Sequence, residues 1–152
     1  METVKEVKSV DALKELIVIN NDRYEGYKTA SKETKDPDYK ALFAEFSLQS
    51  KRFGDELRKL IPFTEETPDR DETKASGKVY RVWMDVKAAL TANDTKSILA
   101  SCEFGEDVAL KTYNDVLEEP EEISSELLEL IKKQRAELQK SHDLIKAKRD
   151  MV

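Results

Sequence analysis

The chain has 152 residues, of which 39% are hydrophobic and 38% are charged, and its formal net charge is −6 at pH 7. This length fits one domain with a core of its own. Only four Gly and four Pro occur, and Lys, Glu, Leu and Ala are abundant, which is typical of long helices and argues against a β-sandwich, a barrel or a disordered chain. We therefore expect an all-α fold in a single domain over residues 1–152.

The composition also excludes several classes of partner and site. No apolar run approaches the roughly 20 residues of a membrane span, and the charged N-terminus lacks the apolar segment of a signal peptide. We therefore expect a cytoplasmic protein with no membrane partner, and the negative charge disfavours nucleic acid. With one cysteine, Cys102, and one histidine, His142, the chain offers neither an internal disulfide nor a zinc site of the usual nitrogen and sulfur type.

The first half of the chain predicts a helical hairpin. Ser9 is a good N-cap for a helix over about residues 9–33, whose inward positions recur at spacings of three and four. Asp36 can cap a second helix over about residues 37–61, in which Pro37 takes the first position. The inward seams of the two helices are Val10, Leu13, Ile17, Asn20, Tyr24 and Tyr27, and then Leu42, Phe46, Gln49, Phe53, Leu57 and Leu60.

A connection of about thirty residues, 62–94, separates this hairpin from the second half of the chain. It begins polar and then turns amphipathic, which predicts a short helix over about residues 78–91. Neighbouring antiparallel helices need only a few linking residues, whereas this connection can cross the whole length of a bundle. We therefore expect the second and third long helices to run parallel, as in ferritin-like four-helix bundles. The inward face of the short helix would be Val79, Val82, Trp83, Val86 and Leu90.

The second half predicts another hairpin. Asp94 can cap a helix over about residues 95–118, and Pro120 can open a last helix over about residues 120–150. The two seams are Leu99, Cys102, Glu106, Ala109, Tyr113 and Val116, and then Leu127, Ile131, Gln134, Leu138, His142 and Ile145.

Each of the four seams is interrupted near its middle by one polar residue. In the ferritin-like order, a rise of 1.5 Å per residue puts these four residues within roughly one helical turn of one another. Hydrogen-bonded amides of this kind can fix helix register without any ligand. Because no cation lies on the seams, Glu106 would be a lone carboxylate among amides, and we expect Glu106→Gln to change the stability by less than about 1 kcal/mol. The predicted polar core layer is Asn20, Gln49, Glu106 and Gln134.

A metal site in or near this layer is the alternative. Di-iron bundles typically use two Glu and two Glu-x-x-His pairs to neutralise the charge of the metal. Here Gln49 is followed three residues later by Arg52, and His142 is preceded three residues earlier by Gln139, so both pairs are missing. We therefore expect at most a weak site, with iron as the metal. Its candidate ligands are Glu25, Glu103, Glu106 and His142.

Three glycines lie inside the predicted helices, away from the seams. Gly26, Gly54 and Gly105 each cost roughly 1 kcal/mol relative to Ala in a helix interior. A close approach of the crossover helix, contact with another copy of the chain, and chance all remain open as explanations. Trp83 is most simply part of the face that covers the bundle, and a homo-oligomer contact is the alternative.

Five stretches of the sequence carry a family resemblance. They are Glu25-Gly26-Tyr27-Lys28-Thr29-Ala30, Lys35-Asp36-Pro37, Val82-Trp83-Met84-Asp85-Val86-Lys87-Ala88-Ala89-Leu90-Thr91, Cys102-Glu103-Phe104-Gly105-Glu106-Asp107 and His142-Asp143-Leu144-Ile145. Together they resemble a bacterial four-helix-bundle family of unknown function, over nearly the whole chain. The resemblance implies membership of the ferritin-like superfamily and no established reaction. It also implies a Glu at the position of Gln49, where this chain departs from the family.

Three kinds of function remain as alternatives. We favour an uncharacterised, non-enzymatic ferritin-like bundle with a degenerate or weak metal site at the mid-bundle polar layer. The first alternative is an iron-dependent oxidase or peroxidase, or an iron-handling stress protein, that uses Glu25, Glu103, Glu106 and His142. The second is a protein-interaction module, including a homo-oligomer formed through the crossover helix or the outer helix faces.

Overall fold

The computed structural model describes residues 4–62, 65–69, 78–92 and 94–152, without the side chains of residues 78–82 and 90. The predicted inward positions Val79, Val82 and Leu90 therefore lie outside the described side chains. The elements are α1 (Val4–Glu33), α2 (Pro37–Arg58), α3 (Lys78–Ala92), α4 (Thr95–Leu117), a 3-10 turn (Pro120–Glu122) and α5 (Ser125–Asp150). No strand occurs in these described ranges. The prediction of an all-α chain is confirmed.

Two helix starts follow from the capping residues that the sequence offers. Asp36 caps α2 by accepting hydrogen bonds from the backbone N–H groups of Asp38 and Tyr39. Asp94 caps α4 by accepting from the backbone N–H of Ser97. Both caps satisfy N–H groups that have no partner within their own helix.

Two other helix starts differ from the prediction. Helix α1 begins at Val4, five residues before the predicted N-cap Ser9, because no helix breaker separates the two. Ser9 is buried inside α1, and its hydroxyl accepts from the backbone N–H of Ser124. Helix α5 begins after Ser124, whose hydroxyl accepts from the Leu127 N–H, so Pro120 opens only a 3-10 turn.

The end of α2 also differs slightly. The α-helix ends at Arg58, three residues before the predicted end at 61. The amide of Lys59 still bonds to the carbonyl four residues back, whereas those of Leu60 and Ile61 bond to carbonyls three residues back. The last turn therefore tightens toward 3-10 geometry, which is common at helix ends.

Side-chain hydrogen bonds fix the directions of the long helices. They join Glu103 to Arg149 and Tyr113 to Gln134 between α4 and α5, and Gln49 to Ser141 and Glu56 to Gln134 between α2 and α5. In both pairs of helices the residue number rises along one helix as it falls along the other, so α5 is antiparallel to α4 and to α2. Helices α2 and α4 therefore run parallel, so the end of α2 and the start of α4 lie toward opposite ends of the molecule.

The buried apolar residues form two clusters, one toward each end of the long helices. On α1, α2 and α4 a band of buried polar residues separates the two clusters. The first cluster contains Leu13, Leu16, Ile17, Phe53, Leu57, Ala109, Tyr113, Leu127, Ile131 and Leu138, among others. The second contains Tyr27, Ala30, Phe43, Phe46, Val86, Ala89, Ile98, Leu99, Cys102 and Ile145.

Helix α3 covers the second cluster. It packs against α4 and α1, and its residues Val86 and Ala89 are buried there. Within the described residues, no helix combines the length and the apolar character that a membrane crossing requires.

Candidate functional site

The centre of the core holds a buried ion pair between α1 and α4. The side chain of Arg23 is 2% exposed and that of Glu106 is fully buried. Arg23 Nε donates to Glu106 Oε1 at 2.9 Å, and Arg23 Nη2 lies 2.8 Å from the same oxygen. The expectation of a lone carboxylate among amides is therefore wrong, because the guanidinium supplies a positive charge beside Glu106.

The same guanidinium also holds α2. Arg23 Nη1 donates to the Phe46 carbonyl oxygen at 3.1 Å and to the Ser50 hydroxyl at 2.8 Å. Its Cζ lies 5.1 Å from the ring centroid of Tyr27 and 5.4 Å from that of Phe46, within range of cation–π attraction. Arg23 thus links three of the long helices through a planar group whose donors have fixed directions.

Tyr27 lies on α1, one turn beyond Arg23, and its side chain also contacts Glu106 of α4. Its hydroxyl donates to Glu106 Oε1 at 2.5 Å, and its ring packs edge-on against Trp83 of α3, with the centroids 5.2 Å apart. Burial, reinforced by the charge of Glu106, raises the pKa of Tyr27 well above its usual value, so the hydroxyl remains a donor. A Cβ at Gly26 would lie 2.2 Å from the Trp83 ring. Of the three explanations for Gly26, the structure thus favours the close approach of α3, the helix in the connection between the two hairpins.

Hydrogen bonds continue from Ser50 across the core to α5. The Ser50 hydroxyl donates to Asn20 Oδ1 at 3.0 Å, and Asn20 Nδ2 donates to the Tyr113 hydroxyl at 2.9 Å. The Tyr113 hydroxyl then donates to Gln134 Oε1 at 2.6 Å, and Gln134 Nε2 donates to Glu56 Oε1 at 3.1 Å. The core polar network is defined here as Asn20, Arg23, Tyr27, Ser50, Glu106, Tyr113 and Gln134.

The structure brings three of the four predicted layer residues into this network. Asn20, Glu106 and Gln134 are all buried members of it. Gln49 is not, because it is only half-buried and its Oε1 accepts from the Ser141 hydroxyl at 3.1 Å. The inward position of α2 belongs to the next residue, Ser50, since one step along an α-helix turns the side chain by about 100°.

These residues do not fit a di-iron centre. Such a centre needs several carboxylates around two metal ions, whereas the guanidinium of Arg23 already lies against Glu106. The amides of Asn20 and Gln134 are engaged in hydrogen bonds. Glu106 Oε2 is buried without a hydrogen-bond partner, which leaves one free oxygen.

A second group of ionisable side chains lies at the edge of the α4–α5 interface. We call Glu103, Asp107 and His142 the rim cluster, since one ligand atom from each lies within 4.8 Å of the other two. His142 Nε2 is 2.6 Å from Asp107 Oδ1 and 3.9 Å from Glu103 Oε1. Arg149 Nη1 donates to Glu103 Oε2.

The four candidate iron ligands are thus divided. Glu103 and His142 meet at the rim cluster, whereas Glu106 is bound to Arg23 in the core. Glu25 is half-buried on α1 and belongs to neither the rim cluster nor the core polar network. Asp107, which the sequence analysis did not single out, contributes the third side chain of the rim cluster.

Cys102 lies beside the core polar network. Its side chain is fully buried in the second apolar cluster. Burial, with a smaller effect of the Glu106 charge, raises the pKa of this thiol far above its usual value. Since the thiolate is the reactive form, Cys102 acts here as a small hydrophobic residue.

The model of a domain of unknown function, DUF2383, matches residues 8–119. The chain belongs to the DUF2383 family. The resemblance to a family of unknown function is thereby confirmed. The part of this DUF2383 protein that matches runs from α1 through α4 and carries six of the seven residues of the core polar network, all but Gln134. No curated protein matches the chain.

Arg23 and Ser50 are the members of the network that the sequence analysis missed. Arg23 follows Asn20 by three residues and precedes Tyr27 by four, which is the spacing of the seam itself. Its neighbour Tyr24 fits the same spacing and is the more hydrophobic of the two, so the pattern alone favours Tyr24 as the inward residue. A buried carboxylate on another helix is the signal that would have identified Arg23, because a buried charge requires a partner.

Proposed function

We propose that this DUF2383 protein is a ferritin-like four-helix bundle, one domain over residues 1–152, that carries out no iron chemistry at its centre. The parallel directions of α2 and α4, with a long connection between two short-linked hairpins, support the bundle type. The assignment to the ferritin-like superfamily rests on this connectivity and on the sequence resemblance.

The observation that carries the proposal is the ion pair between Arg23 and Glu106. A metal bound to Glu106 Oε2 would lie close to the positive charge of Arg23, and a metal bound to Oε1 would have to displace a guanidinium that lies 2.8–2.9 Å away. The displaced charge would then be buried without its partner, which is strongly unfavourable. The ion pair therefore takes the place of a metal in the core and fixes how α1, α2 and α4 meet.

Oxidation of ferrous iron tests this proposal directly. Metal-free protein is mixed with Fe²⁺ in air, and the rate of oxidation is compared with that of buffer alone. We expect no acceleration, for wild type and for Glu106→Gln alike. Two irons per chain, with an acceleration that Glu106→Gln abolishes, would instead support the iron-dependent oxidase or peroxidase.

A protein-interaction role is the second candidate, and exposed apolar side chains favour it. Met84 on α3 is 44% exposed and Phe104 on α4 is 45% exposed. If the outer face of α3 joins copies of the chain, the mass measured by light scattering will rise with concentration. Met84→Lys should then keep the protein monomeric, whereas a monomeric wild type at all concentrations would eliminate self-association.

We propose the location and the absence of a nucleic-acid partner on composition, and the source on the sequence resemblance. The net charge of −6 supports the absence of a nucleic-acid partner. A cytoplasmic location and a bacterial source remain part of this proposal, the second of them through the sequence resemblance.

A further inference from the structure

We propose that the rim cluster of Glu103, Asp107 and His142 binds one divalent transition-metal cation, for which Zn²⁺ is the simplest probe. The proposal is independent of the function proposed for the core, because the two groups share no residue and the Arg23–Glu106 pair is left intact. It adds a metal site at the α4–α5 edge, where Asp107 completes a set of three ligands.

The distances within the rim cluster suit such an ion. Two ligand atoms that lie about 2.1 Å from zinc at a tetrahedral angle are about 3.4 Å from each other. His142 Nε2 lies 2.6 Å from Asp107 Oδ1 and 3.9 Å from Glu103 Oε1, on either side of this value. Coordination of one ion would lengthen the first distance by about 0.8 Å and shorten the second by about 0.5 Å.

The local fold supplies two ligands from one helix and the third from its neighbour. Glu103 and Asp107 are four residues apart on α4, so their carboxylates lie on the same face one turn apart. His142 approaches this face from α5 and is 14% exposed, while Asp107 is 54% exposed. The rim cluster is thus accessible from solvent on one side and supported by packed helices on the other.

The second ring nitrogen of His142 has a partner typical of metal-binding histidines. His142 Nδ1 lies 3.3 Å from Asp143 Oδ1, and Gln139 Nε2 donates to the same carboxylate oxygen at 3.0 Å. A carboxylate on the outer nitrogen orients the imidazole and increases its basicity as a ligand.

Arg149 competes with a metal at the rim cluster. It donates to the second oxygen of Glu103, and this ion pair reduces the negative charge that Glu103 offers a cation. It leaves Glu103 Oε1, the oxygen nearer His142, available for coordination. Removal of Arg149 should therefore strengthen metal binding.

The donor set also selects the kind of ion. One imidazole nitrogen and two carboxylate oxygens suit Zn²⁺, Co²⁺, Mn²⁺ and Fe²⁺. Mg²⁺ and Ca²⁺ prefer oxygen ligands alone. Three protein ligands leave a fourth position for water, as in zinc sites that are open to solvent.

Calorimetric titration of the metal-free full chain with Zn²⁺ tests the proposal. Wild type should bind one Zn²⁺ per chain, and Mg²⁺ at the same concentration should give no binding. Asp107→Asn, at an exposed position that tolerates substitution, should weaken binding at least about tenfold. Asp115→Asn is the matched control, since it removes the same charge from an exposed position of α4, and it should bind Zn²⁺ as wild type does.

Two further variants separate coordination from a purely structural role of the ion pairs. Arg149→Gln should bind Zn²⁺ more tightly than wild type, although it loses an ion pair of the folded protein. His142→Gln should lose binding, and with it the visible absorption that Co²⁺ gains on nitrogen coordination. Equal Zn²⁺ affinities of wild type and His142→Gln, or equal effects of Asp107→Asn and Asp115→Asn, would overturn the proposal. Neither result would bear on the Arg23–Glu106 pair.

Discussion

Replacing Arg23 with Met should destabilise the protein more than any other single charge removal on α1. The change leaves the carboxylate of Glu106 buried without the guanidinium, and removing one partner of a buried pair typically costs about 3–5 kcal/mol. For a chain of this length 1 kcal/mol corresponds to about 2–4 °C in Tm. We therefore expect Tm to fall by roughly 6–20 °C in a thermal melt followed by circular dichroism.

The structure also reverses the expectation for Glu106→Gln. The sequence alone suggested a change of less than about 1 kcal/mol, but a glutamine would leave Arg23 buried without its counter-charge. We now expect a loss of about 3–5 kcal/mol, like that of Arg23→Met. The double variant removes both buried charges and should lose much less than the sum of the two single changes.

An exposed ion pair provides the matched control. Arg52 lies 3.0 Å from Glu137 and is 48% exposed, so Arg52→Met should cost less than about 1 kcal/mol. The reasoning fails if Arg23→Met costs no more than Arg52→Met in urea unfolding. It also fails if the losses from Arg23→Met and Glu106→Gln simply add in the double variant.

Three further predictions concern the surroundings of the network. Gly26→Ala should destabilise the protein by about 1–3 kcal/mol because the new Cβ would overlap Trp83. Gly54→Ala should not destabilise it, since the new Cβ meets only the flexible end of an arginine side chain. Urea unfolding of both variants tests this difference. Native Cys102 should resist iodoacetamide at pH 8 and react only after unfolding, as mass spectrometry would reveal. The serine hydrogen bond that lowers the pKa of Asp94 stabilises the fold above about pH 4. This contribution is lost as the pH falls through the folded-state value, and Asp94→Ala should lack it in acid titrations of unfolding.

Helix types and most helix limits could be predicted because they depend on local chemistry. The caps at Asp36 and Asp94 act within three residues along the chain, so the sequence alone identifies them. The start of α1 could not be placed because Ser9 uses its hydroxyl on Ser124, which is more than a hundred residues away. A residue that is a good cap by type was thus used for a tertiary contact instead.

The polar band in the core was predicted in outline, but the buried positive charge of Arg23 was not. Helical spacing identifies the inward face of α1, yet between Asn20 and Tyr27 it allows either Arg23 or Tyr24 as the inward residue. Hydrophobicity favours Tyr24 there, and only the presence of Glu106 on the facing helix makes Arg23 the buried residue. The rim cluster depends in the same way on the alignment of α4 with α5, which places Asp107 beside His142 and is not encoded by spacing within either helix.

A crystal structure of the protein soaked in Fe²⁺, with anomalous scattering collected at the iron edge, tests the central claim most directly. We expect the guanidinium of Arg23 to remain on Glu106, with no anomalous peak within coordination distance of either Glu106 oxygen. An iron atom bound to Glu106, with Arg23 displaced from the core, would contradict the account.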